Sequence, residues 1–120
     1  MEVREKGQYL MLYFDKGEEI VEGITNATRE YTIIDGRISG TGHINRLEYG
    51  VLTNADPIFF TKSLVEKLLT VTSFFGKIEN REISLMINSV DQEYVIHMGK
   101  VFRATAEVET IIFLEVLKTD

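Results

Sequence analysis

Few residues in this chain could do chemistry. Its 120 residues hold two histidines, His43 and His97, and no cysteine. Disulfides, thiolate metal sites and a cysteine nucleophile are therefore excluded. His97, on a returning hairpin strand read at Glu93–Met98, could hydrogen-bond an anionic or polar ligand near Arg103, which lies on the last strand. The simpler reading is a strand histidine satisfied by backbone or solvent. His43, directly after Gly42, reads as a solvent-edge residue. Glu107 and Glu109 are alternate residues of the same segment, with Arg103 and Thr105 beside them. As paired carboxylates they could do acid–base work if they shared a pocket. A solvated face or a line of intersubunit ion pairs explains such a row more simply, with Glu107 on an interface or pocket wall. Gly40-Thr41-Gly42 invites a phosphate-cradle reading, but no Gly-Lys-Ser/Thr follows and the segment runs on into a strand. A bulge or a close backbone approach is the better account of Gly40 and Gly42.

The elements that would position these groups belong to one domain, since 120 residues leave no room for a second core of ordinary size. Hydrophobic residues at 44% and charged residues at 27% fit a folded chain rather than a disordered one. Nineteen acidic residues against 13 basic ones give a net charge of −6, and no basic cluster is visible. Gripping DNA needs a local excess of Lys and Arg, so direct contact by this chain alone is disfavoured. No apolar signal core follows Met1, and no run approaches the length of a membrane span. A cytoplasmic protein is expected.

Tyr9 to Phe14 is a continuous apolar run, read as a buried first strand. From Glu18 the period changes, and Ile20, Val21, Ile24, Ala27 and Tyr31 fall on one helical face. Glu18, Glu19 and Glu22 in its first turn suit the positive end of a helix dipole. Then come strand-like segments: Tyr31–Ile34 ending at an Asp35-Gly36 turn, His43–Leu52, a short piece at Ile58–Phe60, Leu69–Phe75, Ile83–Val90 and Val101–Leu117. Thr53–Pro57 reads as a loop, and Ser63–Leu69 as either a helical turn or a strand extension. In the last segment Phe102, Ala104, Ala106, Val108, Ile112, Leu114 and Val116 share one parity and should face the core. The opposite parity begins polar and becomes apolar at Ile111, Phe113 and Leu117. A strand end apolar on both faces needs cover on both, which marks these three as subunit-interface candidates.

Four motifs carry a family resemblance. Lys16-Gly17-Glu18-Glu19-Ile20 leads into the helix, and Gly36-Arg37-Ile38-Ser39-Gly40-Thr41-Gly42 contains a Ser-Gly-x-Gly stretch. Thr72-Ser73-Phe74-Phe75-Gly76-Lys77-Ile78 ends in Gly-x-Ile, and Ala104-Thr105-Ala106-Glu107-Val108 contains Thr-Ala-Glu. In this order the chain resembles, over nearly its whole length, the plant-and-prokaryote conserved (PPC) domain of the free-standing prokaryotic type. The resemblance implies an α+β fold, with a mainly antiparallel sheet wrapped against one or two helices, and a homotrimer. Plant relatives bind DNA through an AT-hook, whose Arg-Gly-Arg-Pro core is absent here. Many prokaryotic relatives carry a His-x-His pair and a third histidine on the next strand, a spacing that lets three imidazoles meet one ion. Aligned on Asp91, that pair falls on Ser84 and Met86, with His97 near the third position. Hydroxyl and thioether are poor zinc ligands, so neither a metal nor another cofactor is expected and no catalytic residue is assigned.

The expectation is therefore a non-enzymatic homotrimeric module that binds a partner protein or small ligand, in gene regulation, around a pocket of His97, Arg103, Glu107 and Ser84. The alternatives are a DNA-associated regulator and a degenerate relative of a zinc-dependent decarboxylase-like enzyme.

Overall fold

The computed structural model describes residues 1–120, and its one helix is built by the periodicity seen in the sequence. Helix α1 (Ile20–Glu30) buries Ile20, Ile24, Ala27 and Thr28 and turns its charged residues outward. Its N-cap is Glu19, whose carboxylate accepts from Val21 N at 2.9 Å and Glu22 N at 2.8 Å. Two of the donors that any helix start leaves free are thereby satisfied. The same carboxylate also accepts from the Ala104 N–H at 2.9 Å, so the cap fastens the helix to the last strand.

Seven strands make up the rest of the fold: β1 (Glu2–Lys6), β2 (Tyr9–Phe14), β3 (Ile33–Ala55), β4 (Ile58–Val65), β5 (Leu69–Glu79), β6 (Glu82–Asp91) and β7 (Ile96–Thr119). All pairings are antiparallel, in the order β1-β2-β7-β6-β5-β3-β4. A further β3–β7 ladder closes a hydrogen-bonded circuit through β3, β5, β6 and β7. The fold is α+β, a mostly antiparallel sheet packed against one helix. Inside lie Ile38, Ile44, Leu47, Leu69, Phe74, Leu85, Ile87, Ile112 and Leu114, all buried. Each such side chain contributes roughly 1.5–3 kcal/mol by leaving water. No helix is long and apolar enough to cross a membrane.

Several segments depart from the sequence expectations. Tyr9–Phe14 is the second strand and buries only Leu10, Leu12 and Phe14, one alternate face. Asp35-Gly36 is not a turn: β3 passes straight through it, shifting register on either side of Asp35. The Thr53–Pro57 loop shrinks to a tight link, because β3 extends to Ala55 and β4 starts at Ile58. Ser63–Val65 belongs to β4 and Leu69 opens β5, so that region contains no helical turn. Phe102 and Val108 leave the core parity of β7. Phe102 stands outside a register shift at Glu48/Tyr49, and Val108 is exposed beside Glu109, whose φ is 50°.

The glycines fit this crossing of long strands. Register slips by one residue between Gly40 and Gly42 against β5. A Cβ on Gly40 would lie 2.4 Å from the Ile111 carbonyl oxygen, and one on Gly42 2.6 Å from Thr110 Cα. Only a residue without a side chain lets β3 and β7 approach so closely.

Candidate functional site

Three polar arrangements stand out, and the most buried is at the base of the β6–β7 hairpin. Asp91 closes β6 with its side chain 1% exposed. One carboxylate oxygen accepts from the Glu93 and Val95 N–H groups at 2.8 and 3.0 Å, which shapes the turn. The other oxygen lies 3.0 Å from His97 Nε2. A carboxylate only accepts, so Nε2 carries the proton. In the neutral ring His97 Nδ1 is then an acceptor for the Tyr49 O–H, 3.2 Å away, and the two rings meet edge to face. Gly99, two residues beyond His97 on β7, lets the neighbouring β3 backbone approach, since a Cβ there would lie 2.4 Å from the Gly50 carbonyl oxygen. The His97 hydrogen bond, the two backbone N–H groups and the Lys67 ammonium 4.0 Å away lower the Asp91 pKa to about 2.

A second cluster surrounds Glu107. Its carboxylate accepts from Asn45 Nδ2 at 2.6 Å and pairs with Lys16 Nζ at 3.1 Å. These contacts, Asn45 first, hold its pKa below the ordinary glutamate value. Glu109 is exposed and left-handed, which breaks the alternation that would have aligned it with Glu107. Arg103 lines a groove of about 440 Å³ with Met1, Glu18, Glu19, Glu22 and Thr105.

The four residues read from the sequence as one pocket are thus dispersed within the chain. His97 pairs with the buried Ser89 and shares its inward face. Ser84 and Met86 have the opposite parity on β6, and Met86 pairs with Lys100, so the two sides look away from each other. Arg103 is six strand residues from His97, roughly 20 Å along β7. Asp91 and Tyr49 were not singled out as partners of His97. An aspartate just before a hairpin was the only local signal, and Tyr49 arrives across the β3–β7 ladder.

The third arrangement is on the outer surface. Lys62 of β4 and Lys100 of β7 are both register partners of Gly50. Phe102 and Phe60 cover that glycine, edge to face with centroids 5.8 Å apart. Lys62 Nζ lies 4.3 Å from the Phe102 centroid, and Lys100 Nζ lies 5.0 Å from that of Phe60.

Fold and sequence together decide the family, for residues 1–117 match the Plants and Prokaryotes Conserved (PCC) domain. The chain belongs to this family. Among solved structures, this PCC-domain chain is similar to a putative DNA-binding protein from Bacteroides thetaiotaomicron, with TM-score 0.89 and 17% identity, covering 98% of this chain and 84% of that one. A putative DNA-binding protein from Ralstonia eutropha gives TM-score 0.85 and 12% identity over 98% and 83% of the two chains. A metal-containing protein from Archaeoglobus fulgidus gives 0.81 and 19% over 97% and 84%. No curated protein matches the sequence.

The metal of that last relative prompts a test of fit. In this PCC domain no three His, Asp or Glu side chains converge where they could hold an ion. Both nitrogens of His97 are engaged, and Ser84 and Met86 are on the other face of the sheet. The residues at that place do not fit a zinc site.

Proposed function

We propose that this chain is a regulatory, DNA-associated module that works through assembly and protein contact rather than by catalysis or by a DNA grip of its own. The observation that carries the reading is the apolar outer surface of the strand circuit. Met11 pairs with Phe113, Phe113 with Ser39, Ser39 with Phe75, and Phe75 with Met86, making one cross-strand row. Phe75 is 41% exposed, and Met11, Met86 and Phe113 are only half-buried. With its other face filled by core, a sheet bearing such a row calls for cover by further copies. A homotrimer is the assembly proposed, with Ile111 and Phe113 at the contact and the exposed Leu117 at its margin.

The DNA association is supported by the names of the Bacteroides and Ralstonia proteins. The net charge of −6 argues that any association runs through a partner or a composite surface. Light scattering on the purified protein tests the assembly, with three times the chain mass expected. A monomer at micromolar concentration would remove that half of the proposal. A gel shift at low salt, where phosphate contacts are strongest, tests the other half. The isolated chain should leave duplex DNA unshifted, and a strong salt-dependent shift would mean that it grips DNA directly.

A further inference from the structure

The surface around Gly50 has no part in the core, the hairpin clasp or the row proposed for assembly. Lys62 and Lys100 converge there from two strands, and neither has a carboxylate within ion-pair distance, whereas Lys16, Lys67 and Lys77 each do. In a chain with a surplus of acids, two neighbouring cations without counter-charges leave a complementary place for an anion. The ring faces of Phe102 and Phe60 already carry the ammonium groups, which leaves them unfit to stack a nucleobase.

Strand β4 narrows the class of partner. It pairs only with β3, so its far edge offers unpaired backbone groups along eight residues. Ile58, Phe60, Lys62 and Leu64 share one face, and the opposite face begins with Phe59. Ile58 is 72% exposed, Phe59 62% and Leu64 50%. A strand this apolar at an open edge, broken by one lysine, is the pattern of a surface that accepts an added strand.

We propose that β4 takes up an extended acidic segment of a partner protein as an additional strand. One carboxylate of the segment sits opposite Lys62, with apolar residues two positions to either side against Phe60 and Leu64. Lys100 reaches the same carboxylate or its neighbour from across Gly50. This names the partner chemistry for the protein-contacting module proposed above and rests on that reading.

The test uses the full chain and a fluorescent peptide of alternating Glu and Val matched in length to β4. Anisotropy should show binding of this peptide and none of the Lys/Val counterpart. N-methylating the pairing edge of the Glu/Val peptide should weaken it. The Lys62→Glu/Lys100→Glu variant should lose affinity roughly tenfold or more. The Lys62→Gln/Lys100→Gln variant, checked for folding by circular dichroism, should show a smaller loss in the same direction. Equal binding of both peptides, or unchanged binding by the charge-reversed variant, would overturn the proposal. So would an oligonucleotide of equal charge binding as tightly. If the variants bind no peptide and also lose assembly mass, the surface is a contact between copies and the proposal fails. Peptide binding needs one chain only, so a monomeric, DNA-inert protein would sink the assembly reading and leave this result legible.

Discussion

The base of the β6–β7 hairpin and the outer surface at Gly50 both collect ionisable side chains, and they use them in opposite ways. At the hairpin every group answers another: Asp91 holds two backbone N–H groups and His97, and His97 holds Tyr49. Around Gly50 the two lysines rest on phenyl rings with no carboxylate in range. A buried charge must be paired or it costs stability. An exposed one stays hydrated and can remain unspent until a partner arrives. The conspicuous histidine thus has both ring nitrogens engaged within the fold, whereas the less conspicuous lysines keep charges that no carboxylate answers.

Removing Asp91 should break the hairpin clasp most severely. Asp91→Ala strands two backbone donors and the Nε2 proton in a site nearly closed to water. Thermal melting should fall by roughly 5–10 °C, the largest loss among the variants considered. A change of only a degree or two would mean that water replaces the carboxylate and that the cluster is no clasp.

Acid should reach the same contact without mutation. Asp91 titrates at about 2 in the folded protein, below its ordinary 3.8. A lowered folded-state pKa contributes stability that is fully present above the unfolded value and is lost as pH falls through the folded one. Urea midpoints should therefore decline between about pH 4 and pH 2. In Asp91→Asn that limb should flatten, leaving the smaller contributions of Glu107 and Glu18, whose values are also lowered. An unaltered acid limb in the variant would assign the loss to other carboxylates.

This contrast explains what the sequence could and could not reveal. The helix was legible because Ile20, Ile24 and Ala27 recur at its period and Glu19 and Glu22 mark its start. The family was legible because its motifs are glycine-rich, and glycines record backbone crossings such as Gly40 under Ile111. The strand ends were not. Register shifts near Asp35, Gly42 and Glu48 let β3 run through residues that ordinarily signal turns. His97, Arg103, Glu107 and Ser84 lie apart within one chain for a related reason: counting along β7 says nothing of which β6 residue lies opposite. Pairing His97 with Ser89 rather than with Ser84 or Met86 decides which face it joins. Tyr49 and Lys100 become neighbours of distant residues only through ladders that no local pattern announces.

A milder cut into the clasp should show how the histidine is held. Tyr49→Phe keeps the edge-to-face ring contact and removes the O–H to Nδ1 bond. About 1 kcal/mol of stability should be lost, or roughly 3–5 °C in melting temperature. The histidine proton on Nε2 should persist, visible by nitrogen-15 NMR as one protonated and one bare ring nitrogen. A protonated Nδ1 in the wild type would reverse the donor assignment between Tyr49 and His97.

The smallest effect on stability is expected at the two lysines. Lys62→Met and Lys100→Met keep an unbranched apolar stem over the phenyl rings and delete only the ammonium groups. Exposed cation–π contacts contribute roughly 0.5–1 kcal/mol each, and the methionine sulfur recovers part of that through its own aromatic contact. Melting should therefore shift by no more than a few degrees, in clear contrast to Asp91→Ala. Affinity for the acidic peptide should nevertheless fall, as it does in the Lys62→Gln/Lys100→Gln variant. If the double variant melts as low as Asp91→Ala, the lysines are structural after all, and the division between a spent cluster and an available one collapses. If it melts like the wild type and binds the peptide more weakly, the charges at Gly50 are held in place by the fold without being consumed by it.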